Sequence, residues 1–167
     1  GLPVAVAPLV VTAPVAAGTT NSAVAVSPVV LITDIDSTQL SSATVSVTGV
    51  AADDLAFGAL PSGVTATVGS GSVTFTGAAS VADYQQLLQS ITLTSPSVGI
   101  VTVSFTVVDD QGQSSLPATT IVTVVGLPVA VAPLVVTAPV AAGTTGSAVT
   151  VSPVVLISDI DSTQLGS

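Results

Sequence analysis

Residues 1–42 read GLPVAVAPLVVTAPVAAGTTNSAVAVSPVVLITDIDSTQLSS, and residues 126–167 repeat this stretch at an offset of 125. The two copies differ at four positions, which are Asn21/Gly146, Ala25/Thr150, Thr33/Ser158 and Ser41/Gly166. A period of this length is that of a whole domain rather than of one solenoid turn. The sequence therefore predicts a complete repeat over residues 1–125 and the first part of the next, near-identical repeat over residues 126–167.

The composition of the repeat favours β-structure. Val, Ala, Leu and Ile must fill the core, because the aromatic residues are only Phe57, Phe75, Tyr84 and Phe105. Together with abundant Thr and Ser, these branched and small residues suit a pleated surface better than a helix. A repeat of 125 residues is long enough to bury such a core.

All nine charged side chains are aspartates, and the sequence contains no Lys, Arg or His. No carboxylate can therefore form a salt bridge with a side chain of this sequence. Carboxylates that the fold brings together must be solvated, protonated or neutralised by a bound cation. The same composition argues against nucleic acid and against anionic membrane surfaces as partners, because both are bound through Lys and Arg.

The most apolar run, residues 121–136, does not predict membrane insertion. It is shorter than a bilayer-spanning helix, and Gly126, Pro128 and Pro133 interrupt it. We read it as the apolar junction between two repeats. With Gly at position 1, we expect the natural N-terminus to lie upstream.

Short strands separated by Gly, Pro and Ser predict an immunoglobulin-like β-sandwich. Residues 18–22 are predicted as a turn or loop, and Gly69-Ser70-Gly71 as the turn of a hairpin. The predicted strands cover residues 9–12, 23–26, 29–32, 43–50, 55–57, 64–68, 73–76, 91–94, 100–108 and 119–125.

One helix is predicted over residues 80–89. Ser80 can cap its N-terminus, and Asp83 falls in the first turn, where the helix dipole favours a negative charge. Val81, Tyr84, Leu87 and Leu88 share one face, and we expect Tyr84 to leave its hydroxyl at the rim of the core.

Several segments resemble the cadherin-like and VCBS-type tandem repeats of very large bacterial surface adhesins. The resemblance covers roughly residues 8–124. It rests on the stretches VLITDIDS (30–37), SATVSVTG (42–49), DLAF (54–57), VADYQQLL (81–88) and FTVVD (105–109). It implies an extracellular cadherin-like β-sandwich that is strung in many copies, acts as a stalk or spacer and is often stiffened by calcium. The Asn-Asp-rich linker of animal cadherins is absent, since residues 124–133 contain no acidic residue.

Asp34 and Asp36 are the first candidates for metal ligands. They are two residues apart, so on an extended backbone both carboxylates leave the same face. Calcium binds six to eight oxygens in flexible geometry and accepts carboxylates readily. The alternative is that these aspartates only make Asx-turns and solvated loop ends.

The remaining candidates follow from the resemblance and from the repeat. Asp109 matches a family position that often lies near such a pair, whereas Asp110 should point away unless the strand bulges. Asp159 and Asp161 return at the positions of Asp34 and Asp36 in the second copy. Calcium is the predicted cofactor.

Catalysis is not expected. Without His, Cys, Lys or Glu, the usual nucleophiles and general bases are missing. A glycosidase with two aspartates remains open by composition, but the chain offers few aromatic platforms for a sugar.

Two functions stay open, both with copies of the chain itself as partners. The first is a structural repeat of an extracellular adhesin or stalk. The second is a filament subunit, joined head-to-tail when residues 126–167 replace residues 1–42 of the next subunit by β-strand addition.

Overall fold

The computed structural model describes residues 4–50, 54–127, 132–137, 145–146, 148 and 155–158. The chain divides into two compact units, Gly1–Leu127 and Pro128–Ser167. Strands predominate in the described part of the chain and one helix is present, so the predicted all-β class is confirmed. The elements of the first unit are β1 (Leu9–Thr12), β2 (Val15–Thr19), β3 (Val24–Ala25), β4 (Val30–Thr33), β5 (Gln39–Thr48), β6 (Leu55–Ala56), β7 (Thr65–Val68), β8 (Ser72–Ser80), α1 (Val81–Gln89), β9 (Thr92–Leu93), β10 (Gly99–Asp109) and β11 (Ala118–Val125).

The largest sheet has six strands in the order β2-β11-β10-β5-β8-β7. Neighbouring strands are antiparallel except for β2, which runs parallel to β11. Along β10, Val101, Val103, Phe105 and Val107 are buried and the side chains between them are half-buried. The strand predicted over residues 100–108 is therefore confirmed, and its alternation points every second side chain into the core.

Two smaller sheets, β1–β4 and β3-β9-β6, share that core. Val10 of β1 and Ile32 of β4 are buried in the same cluster as Phe105 and as Leu93 of β9. The helix packs against β4, and its buried residues are Tyr84, Leu87 and Leu88. The first unit thus has one apolar core, to which its sheets and α1 all contribute.

The helix begins as its sequence predicts. The side chain of Ser80 caps it, because its Oγ accepts a hydrogen bond from the Asp83 N–H at 3.0 Å.

Tyr84 differs from the expectation, since it is fully buried and its hydroxyl donates to the Gly77 carbonyl at 2.6 Å. Burial raises the pKa of Tyr84. At Gly77, a Cβ would lie 2.1 Å from the Gly63 carbonyl oxygen, so only glycine fits this close approach.

Part of the segment predicted as a turn or loop, residues 18–22, is strand. Strand β2 continues to Thr19 and pairs in parallel with β11, where Thr19 lies opposite Val125. The turn follows at Thr20 and at Asn21, whose φ of 58° lies in the left-handed region. A parallel partner more than 100 residues away leaves no local pattern, so the sequence near Gly18 does not predict this strand.

The chain enters and leaves the first unit at opposite ends. Near its beginning, the Val6 N–H donates to the Asp36 carboxylate at 3.0 Å, and this acidic loop lies beside Asp109, the last residue of β10. At the other end, Val124 of β11 pairs with Gly99, the first residue of β10. A strand rises about 3.3 Å per residue, so the 11 residues of β10 separate the two ends by about 35 Å.

The second unit contains β12 (Leu134–Thr137) and β13 (Val155–Ser158) among its described residues. These strands pair antiparallel, with Leu134 opposite Ser158. In the first unit Leu9 lies opposite Thr33, so the second copy repeats the register of the first at an offset of 125. The position that differs as Asn21/Gly146 has a positive φ in both copies, 58° and 81°, and glycine adopts such a φ readily.

Candidate metal centre

Three of the predicted aspartates meet at the end of the first unit where the chain comes in. One carboxylate oxygen from each of Asp34, Asp36 and Asp109 lies within 4.8 Å of the other two. Asp34 and Asp36 lie in the loop that follows β4, and Asp109 ends β10. We call these three residues the acidic triad.

The loop after β4 folds around the Asp34 side chain. Its Oδ1 accepts hydrogen bonds from the backbone N–H groups of Asp36 and Ser37, each at 3.1 Å. This is the Asx-turn that the sequence left open as an alternative, and it engages only one of the two carboxylate oxygens. The turn therefore holds Asp34 in place and leaves its Oδ2 available.

Asp109 is held in a similar way by the loop that follows β10. It is fully buried, and its Oδ1 accepts hydrogen bonds from the N–H groups of Gln111 and Gln113 at 2.8 and 2.7 Å. It continues the buried alternation of β10 two residues after Val107. A shift in the register with β5 between Val108 and Asp109 marks a bulge there.

The second oxygens of these two aspartates lack partners. Among the residues that the structure describes, the Oδ2 atoms of Asp34 and Asp109 have no hydrogen-bond partner, and both atoms are buried. A buried carboxylate oxygen without a partner is costly, and this sequence has no cationic side chain to compensate it. Protonation or a bound cation would relieve the cost.

The pKa values of Asp34 and Asp36 are shifted from their ordinary range. Burial raises the pKa of Asp34, although the N–H groups of Asp36 and Ser37 partly oppose this. The hydrogen bond from the Val6 N–H is the main cause that lowers the pKa of Asp36. The pKa values of these two carboxyl groups thus shift in opposite directions, as expected of interacting sites that share one environment.

The donor set fits a hard divalent cation. All three side chains offer oxygen, and the sequence contains neither His nor Cys, the usual ligands of zinc and copper. Calcium suits carboxylates supplemented by water and carbonyl oxygens, whereas magnesium demands a stricter octahedron and keeps more of its water. The orphaned oxygens of Asp34 and Asp109, together with the Asp36 carboxylate, would hold the ion.

Other residues support the triad from outside. The Ser37 hydroxyl donates to the Asp110 carboxylate, so Asp110 lies next to the triad without being one of its three members. The Gln111 side chain donates to the Asp36 carbonyl at 3.2 Å and joins the two loops. Sequence reasoning missed Gln111, because a single glutamine in a loop carries no signal of a contact 75 residues away. The predicted ligands Asp159 and Asp161 lie outside the described residues.

No protein family, no curated protein and no solved structure gives a significant match to this chain. In the ranges that the structure describes, no helix is long and apolar enough to cross a bilayer. Because no related protein is found, the function of the site has to be inferred from its own geometry.

Proposed function

We propose that the chain is a structural spacer: a tandem β-sandwich repeat of an extracellular surface protein or stalk, stabilised by calcium. The observation that carries this proposal is the position of the chain ends. The chain passes from the end that holds the acidic triad to the far end of β10, about 35 Å away, so successive repeats can extend a line. A module whose ends lay side by side would fold the array back on itself.

The second copy supports a tandem arrangement. Its strands β12 and β13 pair in the register of β1 and β4. Strands on both sides of one apolar core are the arrangement of a sandwich, and the immunoglobulin- or cadherin-like type is part of this proposal.

Calcium has a structural role in this proposal. It would neutralise the acidic triad, whose buried oxygens lack partners, and so favour the folded state. The Asp36 carboxylate also accepts the hydrogen bond from Val6, which lies in the segment that leads into the module. An ion at the triad would therefore help to fix the direction of the segment that joins one module to the one before it.

The chemistry of the chain supports a structural rather than a catalytic or nucleic-acid-binding role. The only ionisable side chains in the sequence are aspartates and one tyrosine, and the tyrosine is buried. The absence of Lys and Arg leaves no site for trypsin-like proteases, which suits exposure outside the cell. Labelling of intact cells with an antibody to the repeat tests the location, and labelling only after permeabilisation would contradict it.

Calcium dependence is tested by thermal unfolding with added calcium and with chelator. At a free concentration of 100 times Kd, we expect calcium to stabilise the fold by about 2.7 kcal/mol. Asp109→Asn should abolish this gain, because the amide keeps the Oδ1 that accepts from Gln111 and Gln113 but loses the charge. Asp83→Asn is the matched control, since it removes a charge from an exposed helix position. Equal responses of the two variants would contradict a site at the triad.

The spacer role is tested by length. Appending residues 43–167 once more to the chain completes the second repeat and begins a third. Each such addition should lengthen the particle by a constant increment of about 35–40 Å in small-angle scattering with calcium. Growth in the cross-section instead of the length would contradict a linear spacer.

A further inference from the structure

We propose that the parallel pairing of β2 with β11 is a mechanical clamp, which lets the repeat bear tension along the chain without unfolding. The clamp joins Val15–Thr19 of β2 to residues 121–125 of β11. The inference rests on the proposed spacer role for the source of the tension, since a spacer that holds two objects apart is pulled along its length. It does not involve the acidic triad.

The first support is the direction of the chain through the two strands of the clamp. β1 begins at the end that holds the acidic triad, where Leu9 lies opposite Thr33. From there β1 and then β2 run towards the far end, where Thr19 lies opposite Val125. β11 runs in the same direction and leaves the first unit at that far end.

Tension on the chain therefore pulls β2 and β11 in opposite directions along their length. The force on β2 acts through its N-terminal end, and the force on β11 acts through its C-terminal end. Because the hydrogen bonds between strands run across the strands, such a pull loads all the bonds of the pair at once. If the two strands were antiparallel, both forces would act at one end, and the bonds would open one after another.

Further hydrogen bonds extend the clamp beyond its paired residues. Where the pair begins, the Ile121 N–H donates to the Pro14 carbonyl at 3.0 Å. Beside it, the buried Thr120 hydroxyl donates to the Ala13 carbonyl at 2.6 Å. A pull that frees β2 must therefore break these contacts together with the ladder.

The bonds at the two ends of the pair show which backbone groups of β2 belong to the clamp. At its far end, the Thr20 N–H donates to the Val125 carbonyl at 3.0 Å. Alternate residues of a parallel strand bond to the same neighbour, so the Ala16 N–H faces β11. The Ala17 N–H faces away from β11, and β2 is the outermost strand of its sheet.

The first test compares two loading directions in single-molecule pulling of the full chain. The sequence contains no cysteine, so introduced cysteines define where the force acts. Val4→Cys/Leu127→Cys loads the clamp along its strands, whereas Ser22→Cys/Leu127→Cys separates the strands from their far end.

At equal loading rate and with chelator present, we expect the first pair of handles to need at least about twice the unfolding force of the second. The reason is that forced unfolding follows the unfolding rate, and bonds that share the load must break together. Equal forces, or a larger force for the second pair, would overturn the proposal.

The second test weakens the clamp itself. Ala16→Pro removes an N–H that faces β11, and Ala17→Pro removes one that faces away, as an edge strand tolerates. With the Val4 and Leu127 handles, Ala16→Pro should lose most of the force difference between the two loading directions. Ala17→Pro should keep that difference, and equal forces for the two variants would overturn the proposal. If Ala16→Pro does not fold, Thr120→Val takes its place, because it removes the contact with Ala13 and keeps the side-chain shape.

The clamp and the spacer role fail separately. A particle that does not lengthen with added repeats would contradict the spacer, and the force ratio of the two loading directions would still hold. Equal forces in the two directions would remove the clamp, and the length increment would still support the spacer.

Discussion

The strand pairs β1–β4 and β12–β13 have nearly the same sequence and the same register, but their surroundings differ: residues 43–125 follow the first pair, and residues 1–167 include no second copy of that stretch. Ile32 is 4% exposed and Ile157 is 47% exposed. Strand pairing depends on backbone hydrogen bonds and on the alternation of the strands themselves, and both copies carry these in their own sequence. Burial depends on other elements, and for the first copy these are α1 and the six-stranded sheet.

The largest expected difference between the two copies is in stability. Ile32→Ala should lower the free energy of unfolding of the first unit by about 2–5 kcal/mol, because it removes buried methyl groups and leaves a cavity. The same change at Ile157 should cost less than about 0.5 kcal/mol, as for other exposed positions. Denaturant unfolding of the two variants measures both values. Similar losses would mean that the second copy is also buried in solution.

A smaller effect should follow from the contact between the helix and the first copy. Gln85→Ala leaves the Ile32 N–H without its partner, and we expect a loss of about 1–3 kcal/mol. Gln86→Ala is the matched control, because Gln86 is exposed on the same helix. Hydrogen exchange at the Ile32 amide should accelerate in the Gln85 variant alone, and unchanged exchange would contradict this contact.

The acidic triad allows a prediction for pH in the presence of chelator. The pKa of Asp34 is higher in the folded state than in the unfolded state, where it is about 3.8. The contribution of Asp34 to the stability of the fold is therefore complete below the unfolded pKa, and it is lost as the pH rises through the folded pKa. Asp34→Asn should therefore stabilise the cation-free protein at neutral pH. The gain should shrink as the pH falls towards the folded pKa. Thermal unfolding of both proteins as a function of pH measures this, and a gain independent of pH would contradict it.

The contribution of Asp36 to stability should depend on pH with the opposite sign. Its pKa is lowered, so the stability that it contributes is present above the unfolded pKa and is lost as the pH falls through the folded pKa.

The smallest effect is expected where the copies differ and both backbones already have a positive φ. Asn21→Gly gives the first copy the residue of the second, and glycine adopts a φ of 58° without strain. We expect a change of a few tenths of a kcal/mol in the free energy of unfolding, near the limit of measurement. A loss above about 1 kcal/mol would show that the Asn21 side chain has a role that the turn conformation does not explain.

Several of the secondary-structure elements could be predicted from local patterns. The alternation along residues 100–108, the hairpin around Gly69-Ser70-Gly71 and the Ser80 cap all involve neighbours in sequence, and the structure confirms each of them. The parallel strand β2 could not be read in this way, because its hydrogen bonds come from β11.

The residues of the candidate site likewise differ in whether the local sequence reveals them. Asp34 and Asp36 were recognisable from their spacing. The burial of Asp109 could have been inferred from its parity with Val107. The approach of Gln111 to the Asp36 carbonyl could not, since it joins two loops that are distant in sequence.

The sequence by itself determined the 125-residue repeat, the all-aspartate charge and the pairing register that both copies share. These depend on composition and on contacts within a short segment. The tertiary structure alone decided that β1–β4 is buried against α1 and the six-stranded sheet, and that two aspartates keep an oxygen without a partner. Burial and desolvation arise from every element that surrounds a side chain, and no short stretch of sequence contains all of those neighbours.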